Sequence, residues 1–295
     1  MEDNRLIIPA NTIAILKKHN LTLQKKFGQN FLIDAHVLDK IIRAAEIGPS
    51  DMVLEIGPGI GTMTQALSGA AGKVVAVEID RNLIPVLKET LADCPNAEVI
   101  NADVMELDLA ELIREKAEGR NVKVTANLPY YITTPIIMKL LEEKLPISNI
   151  TVMVQKEVAE RMQAGPGSKD YGALSLAVAY YAEANIAAFV PPNCFIPRPK
   201  VGSAVICLTR HKEPVVKVKD ENFLFQVIRA SFRQRRKTLA NGLKNAPELS
   251  LTRDMVESSL REMGLLETVR GETLTLEEFG ALADILLQKK QESDE

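Results

Sequence analysis

Short apolar runs separated by glycine and polar turns dominate the first two thirds of the chain. The first run is Val53–Ile56, and Gly57-Pro58-Gly59-Ile60-Gly61 follows it at once. A segment with helical character then begins at Thr62. Short apolar runs of this kind are typical of buried parallel strands, whereas a glycine turn lets the backbone approach a ligand closely. The order of strand, glycine turn and helix therefore predicts the start of an α/β unit.

The same pattern repeats along the chain. Further strands are predicted at Lys73–Asp80, Ala97–Ala102, Val122–Ala126 and Ile150–Val154, and two more at Ile186–Val190 and Ala204–Thr209. Helical segments lie between most of them, and a proline-rich connection, 191–200, separates the last two. Strands that alternate with helices favour a parallel sheet. We predict an α/β, Rossmann-like fold: a mostly parallel sheet with helices on both faces.

The hydrophobic pattern changes after Arg210. His211-Lys212-Glu213-Pro214 has the composition of a linker, and only helical periodicity follows it. Four helical segments are predicted, at 220–232, 236–244, 252–263 and 275–288. We therefore predict two domains: an α/β domain over residues 1–210 and a small all-α domain over residues 211–295.

Composition narrows the possible classes of protein. A net charge of −3 over 295 residues excludes a polycation, so nucleic acid would have to bind through local basic patches. The three cysteines and three histidines lack the spacing of metal ligands, and we expect no metal. The most apolar stretch is interrupted by Glu183 and Asn185, and the N-terminus does not resemble a signal peptide. We expect a cytoplasmic protein with no membrane segment, and nothing in the sequence requires more than a monomer.

Candidate chemistry lies where the predicted strands end. The glycine loop, Glu78, Asp103 and Asn127 each follow a different strand, and open parallel sheets bind ligands at these carboxyl ends. An acid at the position of Glu78 suits a ribose diol. A carboxylate at Asp103 suits an adenine amino group. The loop has the spacing Gly-x-Gly-x-Gly, which is shorter than that of pyrophosphate-binding dehydrogenases, so the pattern indicates a nucleoside cofactor without fixing which one.

Asn127-Leu128-Pro129-Tyr130 gives the clearest indication of a reaction. An aromatic amine is a poor nucleophile because its lone pair is delocalised, and an amide oxygen together with a backbone carbonyl can accept from it and fix its direction. Tyr130 offers a face for an extruded base, and Phe195 a second one. A turn with a half-buried aromatic is the alternative interpretation of this tetrapeptide.

These motifs together resemble one family. They are Phe27-Gly-Gln-Asn-Phe-Leu, Glu55-Ile-Gly-Pro-Gly-Ile-Gly, Glu78, Asp103, Asn127-Leu-Pro-Tyr-Tyr-Ile and Phe195-Ile-Pro-Arg-Pro-Lys-Val-Gly-Ser. In combination and order they are similar to the S-adenosylmethionine-dependent rRNA adenine N6-dimethyltransferases, and most similar to the bacterial small-subunit (16S) group. The resemblance covers nearly the whole chain.

The resemblance implies a Rossmann-like methyltransferase fold and an activity. The enzyme would transfer methyl groups from S-adenosyl-L-methionine to N6 of two adjacent adenines of 16S rRNA in the small ribosomal subunit, giving N6,N6-dimethyladenosine during subunit maturation. The implied cofactor-binding residues are Asn30, Leu32, Gly57, Gly59, Gly61, Glu78, Asp103 and Asn127. The implied catalytic residues, which hold the target amine and stack on its base, are Asn127, Leu128, Pro129, Tyr130 and Phe195.

RNA contact is expected from basic clusters. One comprises Arg229, Arg233, Arg235, Arg236 and Lys237, with no acid among them. Lys25, Lys26, Arg198 and Lys200 would flank the mouth of the same site. Such charge runs are often only solvated helix faces, but the overall acidity of the chain favours a phosphate-binding patch.

Three alternatives stay open at this point. A large-subunit rRNA methyltransferase of the antibiotic-resistance type would share the fold and the chemistry. A non-catalytic RNA-binding or assembly protein could retain the fold, although the intact Asn127 motif argues against loss of activity. A dinucleotide-dependent oxidoreductase is disfavoured by the length of the glycine loop.

Overall fold

The computed structural model describes residues 5–21 and 29–294. Its strands are β1 (Phe31–Leu32), β2 (Asp51–Ile56), β3 (Lys73–Glu78), β4 (Ala97–Asn101), β5 (Asn121–Asn127), β6 (Ile147–Gln155), β7 (Ala182–Val190), β8 (Phe195–Ile196) and β9 (Ser203–Arg210). Its α-helices are α1 (Pro9–Lys18), α2 (Ala35–Ala44), α3 (Thr62–Ala70), α4 (Ile84–Thr90), α5 (Leu109–Lys116), α6 (Thr133–Glu142), α7 (Lys156–Gln163), α8 (Ala173–Tyr181), α9 (Glu221–Arg233), α10 (Leu239–Lys244), α11 (Arg253–Glu262) and α12 (Leu276–Asp294).

Seven of the described strands form one sheet, in the order β4-β3-β2-β5-β6-β9-β7. β2 through β6 pair in parallel, whereas β9 runs antiparallel to β6. Every residue of β2 is buried, because the strand has a neighbour on each side and packed layers on both faces. The mostly parallel α/β sheet predicted from the apolar runs is confirmed.

The order of the strands creates a crevice. From β2 the chain proceeds outward to β3 and β4 on one side, and it then crosses over to β5 and β6 on the other. The connections that leave β2 and β5 therefore diverge, and ligands bind at such a switch point in open α/β sheets. The glycine loop follows β2 and the Asn127 motif follows β5, so both lie at this crevice.

A short two-stranded ribbon lies beside the main sheet. β1 pairs antiparallel with β8, with Phe31 opposite Ile196 and Leu32 opposite Phe195. The Ile33 N–H extends the pairing by donating to the Cys194 carbonyl over 2.8 Å. This ribbon was not predicted from the sequence, because strands of two residues have no periodicity to detect.

The described contacts divide the chain into two compact units. Among the described residues, those up to 159 group with 184–210, and those from 160 to 183 group with 211–294. The second unit therefore contains α8 as well as α9 to α12, and in it the ring of Tyr181 stacks on Phe225 with centroids 5.5 Å apart. The four predicted C-terminal helical segments correspond to α9 to α12. The domain limits drawn at Arg210 stay a prediction.

Aspartate caps fix the helices near the crevice. Asp34 accepts from the Val37 N–H at the start of α2, and Asp80 accepts from the Asn82 N–H after β3. Both side chains satisfy N–H groups that the first helical turn leaves without partners. Within the described ranges, no helix is long and apolar enough to cross a membrane.

Candidate functional site

The loop after β2 requires its glycines. Gly57, Gly59 and Gly61 all have positive φ, with values of 70°, 61° and 93°. A Cβ at Gly61 would also lie 3.0 Å from the Leu91 side chain. Gly61 starts α3 without a side-chain cap, so the first N–H groups of this helix remain available to a ligand with negative charge.

Glu78 joins the end of β3 to this loop. Its carboxylate accepts from the Gly59 N–H over 3.1 Å and from the Asp80 N–H over 2.8 Å. The side chain is buried, and burial raises the pKa of Glu78 above its ordinary value. A carboxylate has about four acceptor sites, so two backbone donors leave capacity for two hydroxyl groups of a ligand.

Glu55 is the most unusual group in the crevice. It is fully buried in β2, and neither of its carboxylate oxygens has a hydrogen-bond partner among the described residues. Burial raises the pKa of Glu55 to about 8, the negative charge of Glu78 adds to the rise, and the nearby Thr64 hydroxyl opposes it. A buried carboxylate without partners is costly. Glu55 also lines the pocket, where a ligand with positive charge would offset this cost.

Asn127 lies at the carboxyl end of β5. Its side-chain nitrogen donates to the Asn30 carbonyl over 2.9 Å. The backbone that follows is also held in place: the Leu128 N–H donates to the Met153 carbonyl over 3.0 Å, and the Pro129 carbonyl accepts from the Thr133 hydroxyl over 3.0 Å. The amide is therefore held at one end, and its oxygen is the end left to bind a ligand.

Four aromatic residues line the same pocket, and three of them, Tyr130, Tyr131 and Phe195, have different surroundings. The Tyr130 hydroxyl lies 3.0 Å from the Ser203 hydroxyl. Phe195 is only 2% exposed and packs with Leu32 in an apolar cluster, so its predicted stacking on a base stays a prediction. Tyr131 is 59% exposed, and burial together with the charges of Asp103 and Glu78 raises the pKa of its hydroxyl. Tyr131 was not assigned a role from the sequence, although it follows Tyr130 directly.

The pocket brings together most of the predicted site. Its lining includes Asn30, Leu32, Gly57, Gly59, Glu78, Asn127, Leu128, Pro129, Tyr130 and Phe195. Gly61 and Asp103 lie outside this lining. Asp103 follows β4, and one of its oxygens accepts from the Met105 N–H over 2.8 Å.

The predicted RNA-binding residues have mixed surroundings. Arg233 pairs with Glu248 over 2.5 Å, and Arg235 pairs with Glu272 over 3.5 Å. The other members of the second-unit cluster are Arg229, Arg236 and Lys237, of which the last two are exposed in the turn after α9. Arg198 and Lys200 are exposed shortly after β8, whereas Lys25 and Lys26 lie outside the described residues.

The chemistry of the pocket fits S-adenosylmethionine. This cofactor carries an ammonium and a sulfonium group, a carboxylate, a ribose diol and an adenine. Glu55 offers an unsatisfied buried carboxylate for a cation, α3 offers uncapped N–H groups for an anion, and Glu78 offers acceptors for hydroxyl groups. In the parts of the chain that the structure describes, no group of three His, Cys, Asp or Glu side chains is arranged to hold a metal ion.

Solved structures share this architecture. A dimethyladenosine transferase from Plasmodium falciparum superimposes with a TM-score of 0.74 at 27% identity, covering 89% of this chain and 98% of the other. The 23S rRNA methyltransferase ErmE superimposes with a TM-score of 0.64 at 27% identity, covering 88% and 100%. The fold and the pocket thus define a Rossmann-like methyltransferase.

Comparison with sequence relatives shows which family the chain belongs to. The model of the family described as ribosomal RNA adenine dimethylase matches residues 20–284. Two relatives are named ribosomal RNA small subunit methyltransferase A. The one from Lachnoclostridium phytofermentans is 63% identical and covers 95% of this chain and 97% of its own. The one from Clostridioides difficile is 50% identical and covers 94% and 96%. The chain belongs to the ribosomal RNA adenine dimethylase family and is an S-adenosylmethionine-dependent methyltransferase that acts on ribosomal RNA.

Proposed function

We propose that this enzyme methylates N6 of two adjacent adenines of 16S rRNA in the small ribosomal subunit. Two rounds of transfer at each would give N6,N6-dimethyladenosine. The two relatives named for the small subunit are 63% and 50% identical, whereas the structure named for 23S rRNA is 27% identical. The proposed setting is the cytoplasm during subunit maturation, with the enzyme acting as a monomer.

The residues around the glycine loop are proposed to hold the cofactor. Glu55 and the N-terminus of α3 would face the charged methionine end, with the loop glycines between them, while Asn30 and Leu32 cover it. Glu78 would accept from the ribose hydroxyls, and Asp103 from the adenine amine. When bound, S-adenosylmethionine supplies an electrophilic methyl group on a sulfonium.

The residues after β5 are proposed to prepare the nucleophile. The Asn127 oxygen would accept from the target amine, and together with the backbone around Leu128 and Pro129 it would hold the amine and direct its lone pair. Tyr130 and Phe195 would contact the extruded base. Positioning supplies much of the lowering of the barrier. No dedicated general base is needed, because an alkylated aromatic amine is a strong acid and loses its proton readily.

The proposal depends on one observation above all: the Asn127 amide is held at its nitrogen and lies at the same crevice as the glycine loop. The decisive experiment incubates the enzyme and labelled S-adenosylmethionine with unmethylated small subunits and, separately, with large subunits. Mapping is expected to place the label on adjacent adenines of 16S rRNA. Label found only on 23S rRNA would overturn the choice of subunit, and no label on either would overturn the activity.

Glu78→Gln is expected to weaken cofactor binding. Its carboxylate accepts from two backbone N–H groups, and an amide places a donor where one of these acceptors was. The amide also removes the charged acceptor proposed for the ribose hydroxyls, and a hydrogen bond to a charged group contributes about 1.5–3 kcal/mol, so the dissociation constant measured by calorimetry should rise about tenfold or more. Glu98→Gln, at a half-exposed carboxylate on β4, is the matched control. Equal affinity of the two variants would count against the role of Glu78.

Arg236→Ala/Lys237→Ala is expected to weaken subunit binding and to reduce its salt dependence. These two exposed cations follow one another in the turn after α9, and removal of each cation that binds a phosphate lowers the slope of log K against log[salt] by up to about one. The control is Lys212→Ala/Lys217→Ala, which removes the same charge elsewhere in the second unit. The patch would be excluded by identical salt slopes for the two double variants.

A further inference from the structure

We propose that the backbone carbonyl of Asn30 is the positioning group for the Asn127 side chain. By holding the amide nitrogen it aims the amide oxygen at the target amine. The inference rests on the proposed function, because it presumes that this oxygen accepts from that amine. It adds a second element, the segment that leads into β1, to the residues that prepare the nucleophile.

The chemistry of the contact fixes the direction of the amide. A backbone carbonyl has no proton to donate, so the end of the Asn127 side chain that lies 2.9 Å away is its NH₂ group. The oxygen must then occupy the other end. Without this contact the χ2 torsion of an asparagine has a broad distribution, with two roughly equivalent orientations of the amide. The side chain would then also present its NH₂ group, which cannot accept from an amine.

The Asn30 carbonyl is itself held in place. Asn30 directly precedes β1, where Phe31 pairs with Ile196 and Leu32 with Phe195. The Ile33 N–H donates to Cys194, and the Cys194 thiol donates to Asp34 over 3.3 Å. Phe31 is buried, and its ring lies 3.0 Å from where a Cβ of Gly59 would be. The strand that orients the amide is therefore anchored both to β8 and to the glycine loop.

The test is Asn127→Asp, which keeps an acceptor oxygen of the same shape but changes the other end. As a carboxylate, Asp turns a second acceptor towards the Asn30 carbonyl, and the two oxygens repel. As a neutral acid, it regains one O–H donor for that carbonyl and one acceptor for the amine. The protonated side chain thus reproduces the pattern of the amide, whereas the ionised one does not.

Single-turnover rates of methyl transfer, with cofactor and small subunits saturating, are compared between about pH 5.5 and about pH 8.5. At the upper end the Asp variant should be at least about tenfold slower than the unsubstituted enzyme. The ratio of variant to unsubstituted rate should then rise as pH falls, approaching tenfold per unit until the carboxyl is protonated. If acceptance from the amine were the only role of residue 127, the carboxylate would be the better acceptor and the ratio would fall with decreasing pH. That outcome, or a flat ratio near one, overturns the inference.

Hydrogen exchange gives a readout independent of activity. At about pH 8.5 the Ile33 amide should exchange faster in the Asp variant, because repulsion loosens the segment before β1. Val86→Ala, in the apolar cluster that also contains Phe31, controls for general loosening and should leave the pH dependence of the rate unchanged. Asn127→Ala separates the failure of this inference from the failure of the proposed function. If the Ala variant retains methyl transfer, the proposed role of Asn127 is wrong. If the Ala variant loses methyl transfer while the Asp variant stays fully active at every pH, only the role of Asn30 is wrong.

Discussion

Asn127→Ala is expected to reduce the rate of methyl transfer by at least about a hundredfold while cofactor affinity stays within a few-fold of the unsubstituted value. The side chain donates to Asn30, and we propose that its oxygen accepts from the target amine. Loss of that acceptor leaves the amine free to rotate and its lone pair delocalised. The cofactor contacts of Glu55, Glu78 and the glycine loop remain. The effect should therefore appear in the transfer step and not in binding.

The measurement is a single-turnover assay with saturating cofactor, paired with calorimetric titration of S-adenosylmethionine. Asn121→Ala is the matched control. It removes the same residue type from the opposite end of β5, where Asn121 donates to Asp51 over 3.0 Å. A general weakening of the strand would affect both variants equally. Transfer by the Asn127 variant within a few-fold of the unsubstituted rate would refute the assignment.

The sheet and the crevice could be predicted because they depend on local patterns. The apolar run of β2 and the glycines after it follow from burial and backbone geometry within a few residues. The caps at Asp34 and Asp80 follow from equally local rules. Since the carboxyl ends of parallel strands share one edge, the positions of Glu78 and Asn127 at one crevice followed as well.

What could not be predicted depends on contacts between distant residues. Asn30 and Asn127 are 97 residues apart, and nothing in either segment shows that one carbonyl meets one amide. The pairing of Arg235 with Glu272 likewise depends on how the C-terminal helices fold together. Glu55 stands in the glycine motif, but only coordinates show that both its oxygens lack partners among the described residues. The available signal was an acid inside the apolar run Val53–Ile56.

Glu55 should make cofactor binding depend on pH. Its pKa in the cofactor-free protein is about 8, so the side chain is mostly protonated at neutral pH, and only the carboxylate attracts a cation. The affinity for S-adenosylmethionine should therefore rise by up to about tenfold per pH unit between about pH 5.5 and about pH 7. This range lies below the titration of the amino group of the cofactor. Calorimetry in matched buffers measures both the affinity and the proton released.

Glu55→Gln should change binding and stability in opposite directions. The amide cannot become charged, so affinity should be lower and independent of pH over this range. The folded pKa of Glu55 lies above its ordinary value of 4.5. The contribution of Glu55 to the stability of the cofactor-free protein therefore falls as pH rises from about 4.5 to about 8, by up to about 1.4 kcal/mol per unit. The Gln variant has no side chain to ionise at this position, so it does not lose this stability. At about pH 8.5 it should therefore melt at a higher temperature than the unsubstituted enzyme.

The opposite signs distinguish a functional carboxylate from a structural one. A residue kept for packing or for an internal hydrogen bond would lose stability when replaced, and its loss would leave the pH dependence of binding unchanged. Glu111→Gln, at an exposed carboxylate on α5, supplies the baseline for both measurements. If the Glu55→Gln variant bound cofactor with the same pH dependence as the unsubstituted enzyme, the acid in β2 would not face the bound cation. If it instead melted lower at about pH 8.5, the carboxylate would have a partner within the fold.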